Sequence, residues 1–144
     1  ILNKGGKVIG IIPELLKREE VVNANVTELI VTKTMSERKV MMSQLVDGYI
    51  SLPGGFGTLD ELFEGLTLGQ LHIEQKPNGI LNVNGFFNHT LQQLDVMVAE
   101  GYLKQANKDM LLVGNTVTEL MLKMDSYCAP EKTAIINKVI KHDH

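Results

Sequence analysis

The sequence predicts an α/β protein: a Rossmann-like open parallel sheet with helices on both faces. Three observations carry that prediction. Short β-branched runs alternate with helical runs along the whole chain. The first strand-like run is almost continuously apolar, as expected of a strand covered on both faces. One strand also runs straight into a glycine-rich turn and then a helix, an arrangement typical of the carboxyl edge of such sheets.

Taken in order, residues 7–12 form the first apolar run, stopped by Pro13, and residues 29–34 form a second β-rich run. Residues 35–45 carry Met35, Met42 and Leu45 on a helix-like pattern, with Val40 and Met41 beside them. Residues 48–52 are a short strand entering Pro53-Gly54-Gly55. Residues 58–71 place Leu59, Leu62, Phe63 and Leu66 at helical spacing. A strand over 79–83 ends at Asn84-Gly85, and an amphipathic helix over 86–100 is capped by Gly101. The last strand is 110–113, followed by helices at 116–124 and 130–141. No internal repeat or second domain is visible, so residues 1–144 read as one domain. The opening Ile1-Leu2-Asn3-Lys4-Gly5-Gly6 reads as a frayed helix end with a glycine stop. With no initiating methionine, the expectation is that the chain lacks its natural N-terminus.

Composition narrows the function classes. Hydrophobic residues are 44% and charged residues 22% of the chain, which is ordinary for a globular protein. A net charge of −3 gives no broad basic face for nucleic acid, although a local pocket for a small phosphate remains compatible with it. The single Cys128 excludes an internal disulfide and a cysteine metal site, and reads as a packed or half-exposed thiol. No apolar run reaches membrane-spanning length, and no signal peptide opens the chain. The expectation is a cytoplasmic protein without a membrane partner.

The chemistry concentrates in Leu52-Pro53-Gly54-Gly55-Phe56-Gly57-Thr58-Leu59-Asp60-Glu61. Glycines let the backbone approach an anion, and the first helical turn presents unpaired N–H groups and the positive end of the helix dipole. Thr58 adds a hydroxyl donor. The other reading is a tight turn that needs glycine for geometry alone. Neither the dinucleotide fingerprint nor the P-loop spacing is present. Glu61 stacks one turn beyond Thr58. It serves either as an acidic residue favouring the helix start or as a contact to sugar hydroxyls and developing positive charge.

A second cluster, Met35-Ser36-Glu37-Arg38-Lys39, places two cations near a helix start, where the dipole disfavours them. Arg38 offers a bidentate fork for phosphate or ribose oxygens. Alternatively the cluster is a solvated charged face with Glu37 as counter-ion. His72, His89, His142 and His144 show no metal-ligand spacing, and the seven methionines read as core filler.

Met-x-x-Arg-Lys at positions 35–39, followed by Pro-Gly-Gly-x-Gly-Thr-x-x-Glu at 53–61, resembles the Lonely Guy family of nucleoside 5′-monophosphate phosphoribohydrolases. Some of its members carry the label lysine decarboxylase. Gly10-Ile11-Ile12-Pro13, Lys76-Pro77 and Leu81-Asn82-Val83-Asn84-Gly85-Phe86-Phe87-Asn88 resemble the family too, so the likeness runs from about Gly5 to Met124. Ser36 stands where the family usually has His. The family also begins with a strand, glycine-rich loop and helix that precede Gly5, a unit missing from this sequence.

The resemblance implies hydrolysis of an adenosine 5′-monophosphate, N6-modified or plain, to free base and ribose 5-phosphate, as in cytokinin activation. It implies Arg38 and Glu61 as catalytic residues. Gly54, Gly55, Phe56, Gly57 and Thr58 would hold the phosphate, with Lys39 adding attraction. Glu20 occupies the spacing of a further ligand contact, or is a solvated loop acid. No cofactor and no metal are implied, and a homodimer is expected, with the helix at 35–45 part of its interface. The rival reading is a non-catalytic carrier of a nucleotide or of molybdenum cofactor. A true lysine decarboxylase would need a lysine organised to hold pyridoxal phosphate, and no motif here arranges one.

Overall fold

The computed structural model describes residues 1–17 and 25–131. Glu20, His142, His144 and nearly all of the expected 130–141 helix lie outside the described residues. The chain divides into two compact units, Ile1–Val46 and Asp47–His144. The architecture is α/β throughout, and every strand pairing among the described residues is parallel. The strands pair within two sheets, one of two strands and one of three.

In the first unit, a 3₁₀ turn at Leu2–Lys4 ends on Gly5 at φ 78°, whose N–H bonds to Leu2 O, so the glycine stop read from the sequence is real. Strand β1 (Ile9–Pro13) leads into a short helix, α1 (Glu14–Lys17). Strand β2 (Glu28–Thr32) pairs with β1 in the register Ile11↔Ile30. Pro13 belongs to β1 rather than stopping it. It ends an edge strand of the two-stranded sheet, where proline's missing N–H is tolerated. Helix α2 (Met35–Leu45) then follows at the limits read from periodicity.

The second unit opens with β3 (Tyr49–Ser51), followed by α3 (Phe56–Gln70) and β4 (Asn78–Leu81). Next come α4 (Asn88–Ala99), α5 (Gln105–Lys108), β5 (Leu111–Gly114) and α6 (Val117–Asp125). The strand order is β3-β4-β5.

Two neighbouring residues of β4 show how this sheet is covered. A Cβ on Gly65 of α3 would meet Asn78 Nδ2, and a Cβ on Gly79 would meet Leu120 of α6. Successive strand side chains point to opposite faces, so α3 and α6 pack on opposite sides. The core on the α3 side gathers Leu62, Ile80, Phe87, Leu94 and Leu111, with Leu59, Leu66 and Leu91 packed around it. Phe87 and Ile80 are fully buried. Burying such side chains stabilises by about 1.5–3 kcal/mol each, enough to hold the β4–α4 connection rigidly against the sheet.

The strands and α6 differ from their expected limits by one or two residues at most of their ends, and two helix starts differ by two residues for local reasons. Helix α3 begins at Phe56, not Thr58, because Gly55 takes the N-cap position with extended φ/ψ. Helix α4 begins at Asn88, not at residue 86. Asn84 and Gly85 are left-handed at φ 52° and 71°, and Asn82 Oδ1 accepts the Phe87 N–H at 2.8 Å. These features fold Val83–Gly85 into a 3₁₀ turn and delay the helix.

Candidate functional site

The turn between β3 and α3 leaves the carboxyl edge of the three-stranded sheet. At its helix end the residue that would normally provide a side-chain cap is Gly55, and no side-chain cap bond is made. Leu59 N–H is the first to bond back, to Gly55 O at 3.2 Å. Helical geometry therefore leaves the N–H groups of Phe56, Gly57 and Thr58 without intrahelical acceptors. No acidic residue stands in this first turn, so nothing there opposes an incoming anion.

Other helices of the same protein start differently. In α2, Glu37 N–H bonds to Thr34 Oγ1 at 3.1 Å, while Glu37 Oε2 reaches back to the Lys33 N–H at 2.8 Å. In α6, Thr116 and Glu119 repeat the pattern, with Glu119 Oε2 on Asn115 N–H. These are variants of the capping box, with the carboxylate on the N–H of the residue just before the cap. The Lys123 ammonium and the Asn115 N–H hold the Glu119 carboxyl below the ordinary glutamate value. Helix α4 also lacks a side-chain cap bond and a first-turn acid. Its N-cap residue Phe87, however, is buried in the core with its N–H taken by Asn82. The start of α3 is thus without a side-chain cap and at the surface.

The glycines of the turn divide by role. A Cβ on Gly54 would lie 2.2 Å from Thr58 Oγ1, so only glycine lets the threonine side chain fold back over the turn. Gly55 and Gly57 would meet nothing within 4 Å, which leaves the space beside their backbone open to a ligand. Between them Phe56 is 94% exposed, so its side chain adds nothing to the core and its contribution here is its N–H. Glu61 is half-buried on α3, about 4.5 Å further along the axis than Thr58. Leu62, next to it, is 1% exposed and locks this part of the helix to the sheet.

Arg38 and Lys39 belong to the first unit, where both are half-buried on α2. Helix α2 starts just past the carboxyl end of β2, so Arg38 sits one turn in from that edge. Its Nε donates to Ile11 O of β1 at 3.1 Å, which fixes the plane of the guanidinium. Glu37 is absorbed by the helix cap rather than serving as the counter-ion that a simple charged face would need. Sequence reasoning missed this, though Thr34-x-x-Glu37 carried the signal.

Other expected features fall elsewhere. Lys76 precedes β4, at the edge opposite the glycine turn, and pairs with Glu74, which also accepts the Tyr49 hydroxyl. Cys128 is exposed, neither packed nor half-exposed as expected. His72 and His89 contact Gln75 and Gln92, and no cluster among the described residues could hold a metal. Met110 is buried, whereas Met35 and Met121 are substantially exposed, so core filling describes only part of the methionine set. No described helix is long and apolar enough to cross a membrane.

Comparison with known proteins places the chain in a family. The family model described as "possible lysine decarboxylase" matches residues 1–124. The chain is 38% identical over 136 residues to the cytokinin riboside 5′-monophosphate phosphoribohydrolase LOG of Oryza sativa subsp. japonica, covering 94% of this chain and 56% of that protein. It is 38% identical over 134 residues to LOG5 of Arabidopsis thaliana, a protein with the same activity in its name, covering 93% and 58%. LOG1 of Arabidopsis thaliana matches at 38% over 127 residues, 88% of this chain and 60% of that protein. The chain therefore spans little more than half the length of these curated relatives. With the glycine turn, its threonine and glutamate, and the Arg-Lys pair all present, the chain belongs to the Lonely Guy (LOG) family.

Proposed function

We propose that the protein hydrolyses the N-glycosidic bond of an adenosine 5′-monophosphate, N6-modified or plain, releasing free base and ribose 5-phosphate. The observation that carries this reading is the uncapped, acid-free start of α3, followed one turn later by Glu61 on the same helix. A site of that form grips a phosphate at one point and offers a carboxylate a short distance away.

In this mechanism the N–H groups of Phe56, Gly57 and Thr58 and the Thr58 hydroxyl bind the 5′-phosphate. Holding that remote group positions the scissile bond. As the bond between the base nitrogen and the sugar carbon breaks, positive charge develops on the sugar. The Glu61 carboxylate stabilises that charge more than it stabilises the ground state, and orients the ribose hydroxyls or the attacking water. Water adds its oxygen to the sugar carbon, and the departing base leaves with a proton. Arg38, its plane set by Ile11 O, contacts the ribose phosphate or polarises the departing base. Lys39 adds attraction for the phosphate. Glu20 is a further substrate contact in this proposal. No metal or organic cofactor has a step in it.

The same reading takes the whole chain as one nucleotide-binding domain acting in the cytoplasm as a homodimer, with neither nucleic acid nor membrane as partner. The exposed Met35, Val40 and Leu45 of α2 support a place for that helix in the subunit interface. Its exposed thiol fits a reducing compartment. The test is base release over a panel of nucleoside 5′-monophosphates and their dephosphorylated counterparts, using the full-length protein. Release from the phosphorylated substrates and little from the nucleosides supports the reading. Retention of ligand without release assigns the protein to the carrier class instead.

A further inference from the structure

Two Asn-Gly pairs occur in the chain, Asn78-Gly79 and Asn84-Gly85, and the fold treats them oppositely. A glycine has no Cβ to shield its amide nitrogen. In an Asn-Gly pair that nitrogen therefore reaches the preceding side-chain carbonyl carbon more readily than in other pairs. Whether it does so depends on how firmly the structure holds the two residues.

Asn78 and Gly79 lie inside β4, the central strand of its sheet, paired with Tyr49 and Ile50 on one side and Leu111 and Leu112 on the other. Asn78 is 3% exposed. Its reaction would require the core strand to open. Asn84 and Gly85 sit in the Val83–Gly85 turn, with Asn84 exposed. The Gly85 N–H reaches Asn82 O only at 3.4 Å, beyond the usual range of a backbone hydrogen bond. The ends of this loop are anchored: Asn82 Nδ2 donates to Asn88 Oδ1 at 2.9 Å, and Asn82 Oδ1 holds the Phe87 N–H. Its tip is not buried by any such contact. The Asn84 side chain is exposed, so its carbonyl carbon approaches the Gly85 nitrogen from the surface and not from within the core.

We propose that Asn84 is a deamidation site of the folded protein, and that the fold protects Asn78 from the same reaction. The Gly85 amide nitrogen, having lost its proton, attacks Asn84 Cγ. The Cγ–Nδ2 bond then breaks, ammonia leaves, and a succinimide ring remains. Water opens the ring at either carbonyl, giving aspartate or isoaspartate, with no oxidant or reductant involved. Each event replaces a neutral amide by a carboxylate. The new charge appears on the carboxyl edge of the sheet that also carries the Gly55–Thr58 turn.

The test incubates the full chain at mildly alkaline pH, folded and in denaturant, and maps both pairs by mass spectrometry with separation of isoaspartyl peptides. In the folded protein, aspartate and isoaspartate accumulate at position 84. Position 78 reacts at least about a thousandfold more slowly, since a core strand opens only at a cost near the global stability. In denaturant the two rates converge. Asn84→Gln, which would have to close a larger ring, removes the acidic isoform seen by isoelectric focusing. The proposal is overturned if Asn84 keeps its amide in the folded protein while the denatured chain loses it. It is equally overturned if Asn78 reacts as fast as Asn84 in the folded state, or if Asn84→Gln yields the acidic isoform undiminished.

Discussion

Alanine substitutions at the three glycines of the Pro53–Thr58 turn separate fold from ligand binding, because the structure surrounds the three positions differently. At Gly54 the new methyl would lie 2.2 Å from Thr58 Oγ1 and 3.0 Å from its Cβ. Threonine is stiff about χ1, so the turn itself must shift, at a cost of about 1–3 kcal/mol. At Gly55 and Gly57 the methyl meets nothing. Gly55 also has a negative φ of −95°, accessible to alanine, and alanine at Gly57 gains up to about 1 kcal/mol of helix propensity. Gly54→Ala therefore lowers Tm, Gly57→Ala leaves it unchanged or raises it, and Gly55→Ala lowers it slightly, alanine being a poorer N-cap than glycine. If an anion sits against this backbone, the methyl at Gly55 or Gly57 displaces it from one charge-assisted hydrogen bond, worth roughly 1.5–3 kcal/mol. The affinity for a nucleoside monophosphate then falls by a factor of roughly 10 to 150. Calorimetric titration with ligand, beside a thermal melt of each variant, reads both quantities. Full ligand affinity in the stable Gly55→Ala and Gly57→Ala variants would refute the placement of the phosphate at this turn.

Three further outcomes follow from particular contacts. Thr58→Ala weakens binding of phosphorylated ligands more than of free nucleosides, by about 1.5–3 kcal/mol for one hydrogen bond to a charged group; equal losses for both ligand types would remove Thr58 from the phosphate site. Asn78→Leu raises Tm by roughly 2–8 °C, because both polar atoms of this buried side chain lack a partner among the described residues and leucine keeps its branched shape; a lowered Tm would show that the amide is satisfied in solution. The carboxyl of Glu119 is held below its ordinary value of 4.5 in the fold. Its contribution is thus present above the unfolded-state value and is lost as pH falls through the lowered one. Glu119→Gln flattens the acid limb of the stability curve in that window, and an unchanged limb in pH-dependent melts would contradict the role of this cap.

What could be read from the sequence was mostly what is encoded locally. Helix α2 matched its limits because its apolar positions act over neighbouring residues, although the Thr34 cap that sets its start went unread. The glycine turn was legible for the same reason, since strand, turn, threonine and glutamate follow one another directly. The start of α4 was not. Phe86 and Phe87 look like the first turn of an apolar helix, yet the side chain of Asn82 and two left-handed residues decide the matter. Nor does periodicity tell which strands pair, so five parallel strands were foreseeable while their division into sheets of two and three was not. At the site, the tether from Arg38 Nε to Ile11 O joins residues 27 apart in sequence, a contact that only the fold creates. The four-residue helices α1 and α5 carry too few turns for any period to show.

The central claim is that Glu61 stabilises positive charge developing on the sugar during hydrolysis, and Glu61→Gln tests it most directly. The amide keeps the shape of the side chain and removes its charge. An electrostatic transition-state contact of this kind is worth about 3–4 kcal/mol, or two to three decades in turnover. Base release from adenosine 5′-monophosphate should be measured for full-length parent and variant, with ligand affinity determined on the same samples. The account predicts a fall of roughly a hundredfold to a thousandfold in kcat with affinity nearly unchanged. A parent that turns over and a Glu61→Gln variant that keeps its full rate would contradict it.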